Sequence, residues 1–126
     1  MKTAHDLVVA AKQRIQEIPL EQAEDAIQGA DVLLDVREQD EFLAGHLPGA
    51  VHIPRGLLEF KLSATPALEP RTLKVIVYCK TGGRAALAAA AMLDMGYLQV
   101  RSLAGGFDGW QAAGRPVAKP ESPAFD

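Results

Sequence analysis

The segment from Lys74 to Met95 limits the fold more than any other. An apolar run, Val75-Ile76-Val77, leads into Tyr78-Cys79-Lys80-Thr81-Gly82-Gly83-Arg84, and an alanine-rich stretch leads out to Met95. A short continuous apolar run reads as a strand covered on both faces. Leu87, Ala88, Ala91, Met92 and Met95 then recur at helical spacing, and Gly96 marks the stop. A buried strand, a loop with two glycines and a helix in succession make half of a parallel β/α unit. The loop holds the chain's single cysteine.

The other segments agree with that architecture. Asp31 opens a second apolar strand, Val32-Leu33-Leu34-Asp35-Val36. Short strands are expected at Ala50–Ile53 and Gln99–Leu103. Between them lie helical patterns at Glu38–Leu43, around Leu57, Leu58 and Leu62, and at Phe107–Ala113. Thr3 to about Glu17 reads as a helix, with Thr3 and Asp6 spaced as a capping box and Leu7, Val8, Ala11 and Ile15 on one face. Leu20, Ala23 and Ile27 suggest another short helix ending at Gly29. Strands alternating with helices predict an α/β fold with a mainly parallel sheet. In such sheets ligands bind outside the carboxyl ends of the strands, which is where Cys79 falls.

Composition removes several function classes. At 126 residues the chain is one domain, and 48% hydrophobic residues can supply a core. The net charge is −3 without a long basic run, which argues against nucleic acid as a partner. No apolar stretch approaches the ~18 residues of a membrane span, and the N-terminus has no signal-peptide pattern. One cysteine allows neither an internal disulfide nor a CxxC pair. A cytoplasmic location is expected, because an unpaired thiol suits a reducing compartment. His5 and His52 have no partners at ligand spacing, so no metal site is expected.

The thiolate is the nucleophilic form of cysteine. Three features of the loop favour it here. Loop N–H groups can converge on the sulfur, with glycines supplying the positive φ values this requires. The following helix presents its positive end. Lys80 and Arg84 add full charges. The same features would hold a small oxyanion beside the sulfur. A lone cysteine is otherwise a small buried hydrophobe, but that role needs neither Gly82-Gly83 nor Arg84. Cysteine-dependent phosphatases place five residues between their cysteine and arginine; here four intervene, Lys80, Thr81, Gly82 and Gly83. The shorter loop makes a smaller cradle, better suited to sulfur than to a phosphoryl group. Gly-Lys-Ser/Thr is absent, so this is not a nucleotide-binding P-loop.

Three separated stretches carry a resemblance. Leu34-Asp35-Val36-Arg37-Glu38 leads through Glu41-Phe42 to Gly45-His46-Leu47-Pro48-Gly49-Ala50. The second is Tyr78 to Ala85, and the third is Gly105-Gly106-Phe107-Asp108-Gly109-Trp110 with Gly114-Arg115-Pro116. In this order and at these intervals they resemble a single-domain rhodanese, a sulfurtransferase. The resemblance divides the chain into an N-terminal helical extension (1–17), a rhodanese-like domain (18–117) and a flexible tail (118–126).

The resemblance implies a five-stranded, mainly parallel sheet with helices on both faces. It implies that Cys79 takes sulfur from thiosulfate or a similar small anionic donor as a persulfide, with no cofactor. Lys80, Thr81, Gly82, Gly83 and Arg84 would bind donor and persulfide through their N–H groups. The acceptor would be cyanide or an external thiol or protein, since no second cysteine is present. A carrier module that receives and hands on sulfur with little turnover is the alternative. Asp35 and Arg37 are supporting candidates. Asp35 reads as part of an internal ion pair or as a loop brace, whereas Arg37 is expected to face the site or to pair with Glu41. His46 is expected to bond to backbone and Trp110 and Phe107 to be core. Lys80 is expected to point outward, where it attracts an anionic donor or is simply solvated.

Overall fold

The computed structural model describes residues 1–120. Its centre is a five-stranded parallel sheet in the order β1-β5-β4-β2-β3. The strands are β1 (Gln16–Ile18), β2 (Val32–Asp35), β3 (Val51–His52), β4 (Lys74–Tyr78) and β5 (Gln99–Leu103). The helices are α1 (Ala4–Arg14), α2 (Ala23–Gln28), α3 (Gln39–Ala44), α4 (Leu58–Ala64), α5 (Gly83–Asp94) and α6 (Gly106–Ala112), with three short 3-10 turns beside them.

Side chains alternate across the strands and fill a core on each face. Leu34, Val75, Val77 and Val100 pack with Leu58 and Leu62 of α4 and with Ala85, Ala88, Ala89 and Met92 of α5. Leu33, Ile76, Tyr78 and Leu103 pack on the other face with Ala23 of α2 and Trp110 of α6. Each fully buried aliphatic side chain contributes on the order of 1.5–3 kcal/mol. The run of alanines in α5 has a second purpose. Ala86 and Ala90 face away from the sheet and take α1 against them through Val8, Ala11 and Ile15. Small residues on both sides let α5 sit between two layers.

The N-terminal helix is shorter than its periodicity suggests. Its capping box at Thr3 and Asp6 is formed, but the helix ends at Arg14. Residues 16 and 17, read above as the end of the helix, join Ile18 in β1 and pair in parallel with Arg101–Leu103 of β5. Ile18 is the buried residue of that strand. At the other end, Ala118 is tied to His46 by two backbone hydrogen bonds of 2.8 and 2.9 Å. The chain is therefore anchored at the point where a flexible tail was expected to begin; from 121 on, that expectation lies outside the described residues.

The strand order fixes where a site can be. After β2 the chain crosses to β3 on one side, and after β4 it crosses to β5 on the other. The connections thus diverge between β2 and β4, opening a crevice at their carboxyl ends. Asp35 and Tyr78 are register partners at the end of these two strands. Cys79 follows immediately.

Candidate active site

Cys79 is 1% exposed, at the bottom of the loop joining β4 to α5. Its Sγ accepts a hydrogen bond from the Gly82 N–H at 3.1 Å. Gly82 holds φ +142 to make that approach, a conformation that costs a residue with a Cβ. The N–H groups of Lys80, Thr81, Gly83 and Arg84 have no acceptor among the described residues. They are unspent donors in the same loop as the sulfur, some of them on the first turn of α5. Successive free N–H groups of this kind can hold an anion.

Helix α6 sets the polarity of the loop. The Phe107 N–H donates to the Cys79 carbonyl at 2.8 Å, and the Asp108 N–H donates to the Lys80 carbonyl at 3.0 Å. In a trans peptide the C=O and the next N–H point oppositely. Turning these two carbonyls toward α6 therefore turns the Lys80 and Thr81 N–H groups away from it. The approach needs Gly106. A Cβ there would lie 2.6 Å from the Cys79 carbonyl oxygen and 2.7 Å from that of Lys80, and φ is +56. Gly105-Gly106 carried only resemblance in the sequence; its physical role is to let α6 dock on the cysteine loop.

The charged residues are arranged differently from the expectation. Arg37 lines a cavity that borders the loop, but it does not pair with Glu41. It is buried and grips Asp35, with Nη2 2.8 Å from Oδ2. The same Nη2 donates to the Gly45 carbonyl at 2.6 Å, and the guanidinium lies 4.3 Å from the Phe107 ring centre. Burial opposes the charge on Arg37, but Asp35 outweighs it and the net displacement of its pKa is upward. The pair braces the end of β2 against α3 and α6. Phe107 is only partly buried, as one wall of that stack, whereas Trp110 is core. Burial also pushes the Tyr78 phenol up, with the Asp35 carboxylate adding to it. That phenol accepts from the Leu47 N–H at 3.0 Å.

Glu41 pairs instead with Arg84, 2.7 Å from Nη1 and 3.0 Å from Nη2. The pair links α3 to α5 across the crevice. The Arg84 hydrogen bonds hold the Glu41 carboxyl down at about 2. This depression stabilises the fold above the ordinary carboxylate value of ~4.3. The contribution fades as pH falls toward about 2, where the folded form also protonates. Wild type is therefore expected to exceed Glu41→Gln in stability by about 0.5–1 kcal/mol at neutral pH, the pair being partly solvated. Urea unfolding across pH 2–7 reads the difference, which should close as pH falls from ~5 to ~2.

Lys80 is exposed and bonded to Asp108 at 2.7 Å. The two loop cations that the sequence offered are thus both committed to carboxylates. Thr81 is exposed at the loop crest. His46 Nδ1 bonds to the Phe42 carbonyl at 3.1 Å and its ring stacks on Phe42, a backbone-held histidine. His52 does the same through Nε2 with the Arg37 carbonyl at 2.8 Å. Among the described residues no three His, Cys, Asp or Glu side chains gather as a metal site.

A cavity of about 280 Å³ opens between α3 and α6, lined by Arg37, Glu41, Gly45, Lys80, Phe107 and Asp108. A larger one, about 420 Å³, lies at the amino ends of β4 and β5, where Lys74 and Gln99 begin those strands. It is on the opposite side of the sheet from Cys79 and contains no nucleophile. The smaller cavity borders the cysteine loop at Lys80. No helix among the described residues is long and apolar enough to cross a membrane.

Comparison with known proteins agrees with this geometry. A sulfurtransferase of Allochromatium vinosum is 35% identical over 92 residues, covering 72% of this chain and 82% of that protein. The thiosulfate sulfurtransferase GlpE of Pseudomonas fluorescens is 33% identical, covering 76% of this chain and 84% of its own. Among solved structures, a Rhodopseudomonas palustris protein of unknown function, described as a possible tyrosine phosphatase, superposes with a TM-score of 0.85. It is 28% identical, over 94% of this chain and 96% of that one. Residues 19–113 match the family described as the rhodanese-like domain, and with a parallel five-stranded sheet carrying its cysteine loop at the switch point, the chain belongs to that family.

Proposed function

We propose that this chain is a sulfurtransferase that moves sulfane sulfur from thiosulfate, or a similar anionic donor, to a thiol or cyanide through a persulfide on Cys79. The observation that carries this reading is the loop itself. A single thiol accepts from the Gly82 N–H, and four further N–H groups of the same loop have no acceptor among the described residues.

The Cys79 thiolate attacks the outer sulfur of thiosulfate. A new S–S bond forms, the S–S bond of thiosulfate breaks, and sulfite leaves with the electron pair. No outside oxidant or reductant is consumed. The persulfide is anionic and soft, and a key N–H donor stabilises it by about 2–4 kcal/mol, as in an oxyanion hole. Cyanide or an external thiolate then attacks the outer sulfur and returns the Cys79 thiolate. The acceptor comes from outside, because Cys79 is the chain's only cysteine. The proposed location is the cytoplasm, where such a thiol stays reduced.

A covalent intermediate requires ping-pong kinetics. Thiocyanate formation from thiosulfate and cyanide should give parallel double-reciprocal lines. Intersecting lines would rule out the free persulfide enzyme. A sulfur adduct on Cys79 with negligible turnover would support the carrier reading instead. The Rhodopseudomonas palustris neighbour keeps phosphatase chemistry in view. The four-residue spacing opposes it, and useful hydrolysis of an aryl phosphate would restore it.

A further inference from the structure

Lys80 and Arg84 are held by Asp108 and Glu41 at 2.7 Å each, which leaves open what draws an anion to the loop. Helix α1 supplies an answer from outside residues 19–113. It packs on α5 through Val8 and Ala11, and Val8 Cγ2 lies 3.6 Å from where a Cβ on Gly83 would sit. One turn further along the same face, Lys12 Nζ lies 3.8 Å from the corresponding position on Gly82. Gly82 is the residue whose N–H reaches Sγ at 3.1 Å. Bond geometry then keeps the Lys12 ammonium within about 10 Å of the sulfur. Its carboxylate neighbour is Glu17, with Oε2 3.8 Å away, too far for a direct hydrogen bond. Of the three cations around the loop, Lys12 is therefore the least neutralised.

We propose that Lys12 recruits anionic sulfur donors to Cys79, so that α1 belongs to the binding site and not merely to the scaffold. The donor class rests on the sulfurtransferase reading; the electrostatic role of Lys12 does not. The Lys12 side chain is 42% exposed, so the attraction acts through water and is sensitive to salt.

The test compares alkylation of Cys79 by iodoacetate, an anion, with alkylation by iodoacetamide, which is neutral. Their rate ratio removes any change in intrinsic thiol reactivity. In Lys12→Gln the ratio should fall about two- to threefold at low ionic strength, and further in Lys12→Glu. Lys12→Arg should retain it, Glu17→Gln should raise it, and the differences should vanish near 1 M salt. With thiosulfate as donor, Lys12→Gln should raise KM about fourfold with little change in kcat, the donor being a dianion. An unchanged ratio in both Lys12→Gln and Lys12→Glu would overturn the proposal. An equal slowing with both reagents would also overturn it, since it would mean that α1 only shapes the loop. If wild type fails to turn over thiosulfate, the donor class falls, while the alkylation ratio still decides the role of Lys12.

Discussion

Cys79→Ala is expected to abolish thiosulfate-dependent thiocyanate formation, a loss on the order of a thousandfold or more, as when a covalent nucleophile is removed. The fold should survive. Cys79 is buried beside Val36, Val77 and Ala85, and shortening its CH2–SH side chain to a methyl group removes one buried heavy atom, at a cost of about 1–2 kcal/mol. The Gly82 N–H loses its acceptor but borders the cradle, where water or substrate oxygen replaces it. Cys79→Ser should be equally inactive, because a hydroxyl is a far poorer nucleophile toward sulfur. Urea unfolding and turnover measured on the same preparations separate the two effects. Turnover within tenfold of wild type in either variant would exclude a Cys79 persulfide.

Gly106→Ala is expected to damage both stability and activity. The new methyl group would meet two backbone carbonyl oxygens at 2.6 and 2.7 Å, and neither is the end of a flexible side chain. The left-handed φ alone costs roughly 1–2 kcal/mol. Relief of the clash requires α6 to withdraw, which breaks the hydrogen bonds from Phe107 and Asp108 to the loop. A total loss of about 3 kcal/mol is expected. Because those bonds orient the Lys80 and Thr81 N–H groups, residual folded protein should also turn over about a hundredfold more slowly, the effect of losing a preorganised donor. Gly109→Ala is the control. Nothing lies within 4 Å of a Cβ at that position, three residues into the same helix. It should be neutral or stabilising by about 0.5–1 kcal/mol. Equal behaviour of the two variants would refute the docking role of Gly106.

Sequence patterns revealed the elements whose signals are local. The apolar strands β2 and β4, the short strand β5, the capping box of α1 and the alanine-rich helix α5 were all legible, and so was the cysteine loop between β4 and α5. Strand β1 was hidden because it is three residues long and continues the helical phase of Ile15. Only its pairing with β5, more than eighty positions away, makes it a strand. The Glu41–Arg84 pair was illegible for the same reason, its partners being 43 residues apart. An internal ion pair at Asp35 was legible, because its partner Arg37 is two residues away. The need for Gly106 appears only when α6 meets the loop from the far side of the chain. Local chemistry named the candidate nucleophile. Tertiary contacts decided which charges remain free beside it.

Incubation of the purified protein with thiosulfate, followed by intact and peptide mass spectrometry under non-reducing conditions, tests the persulfide most directly. The account predicts that the Cys79 peptide gains the mass of one sulfur atom. Cyanide should then remove that mass as thiocyanate, in equal amount. Turnover of thiosulfate with Cys79 unmodified throughout, or with the added sulfur on any other residue, would contradict it.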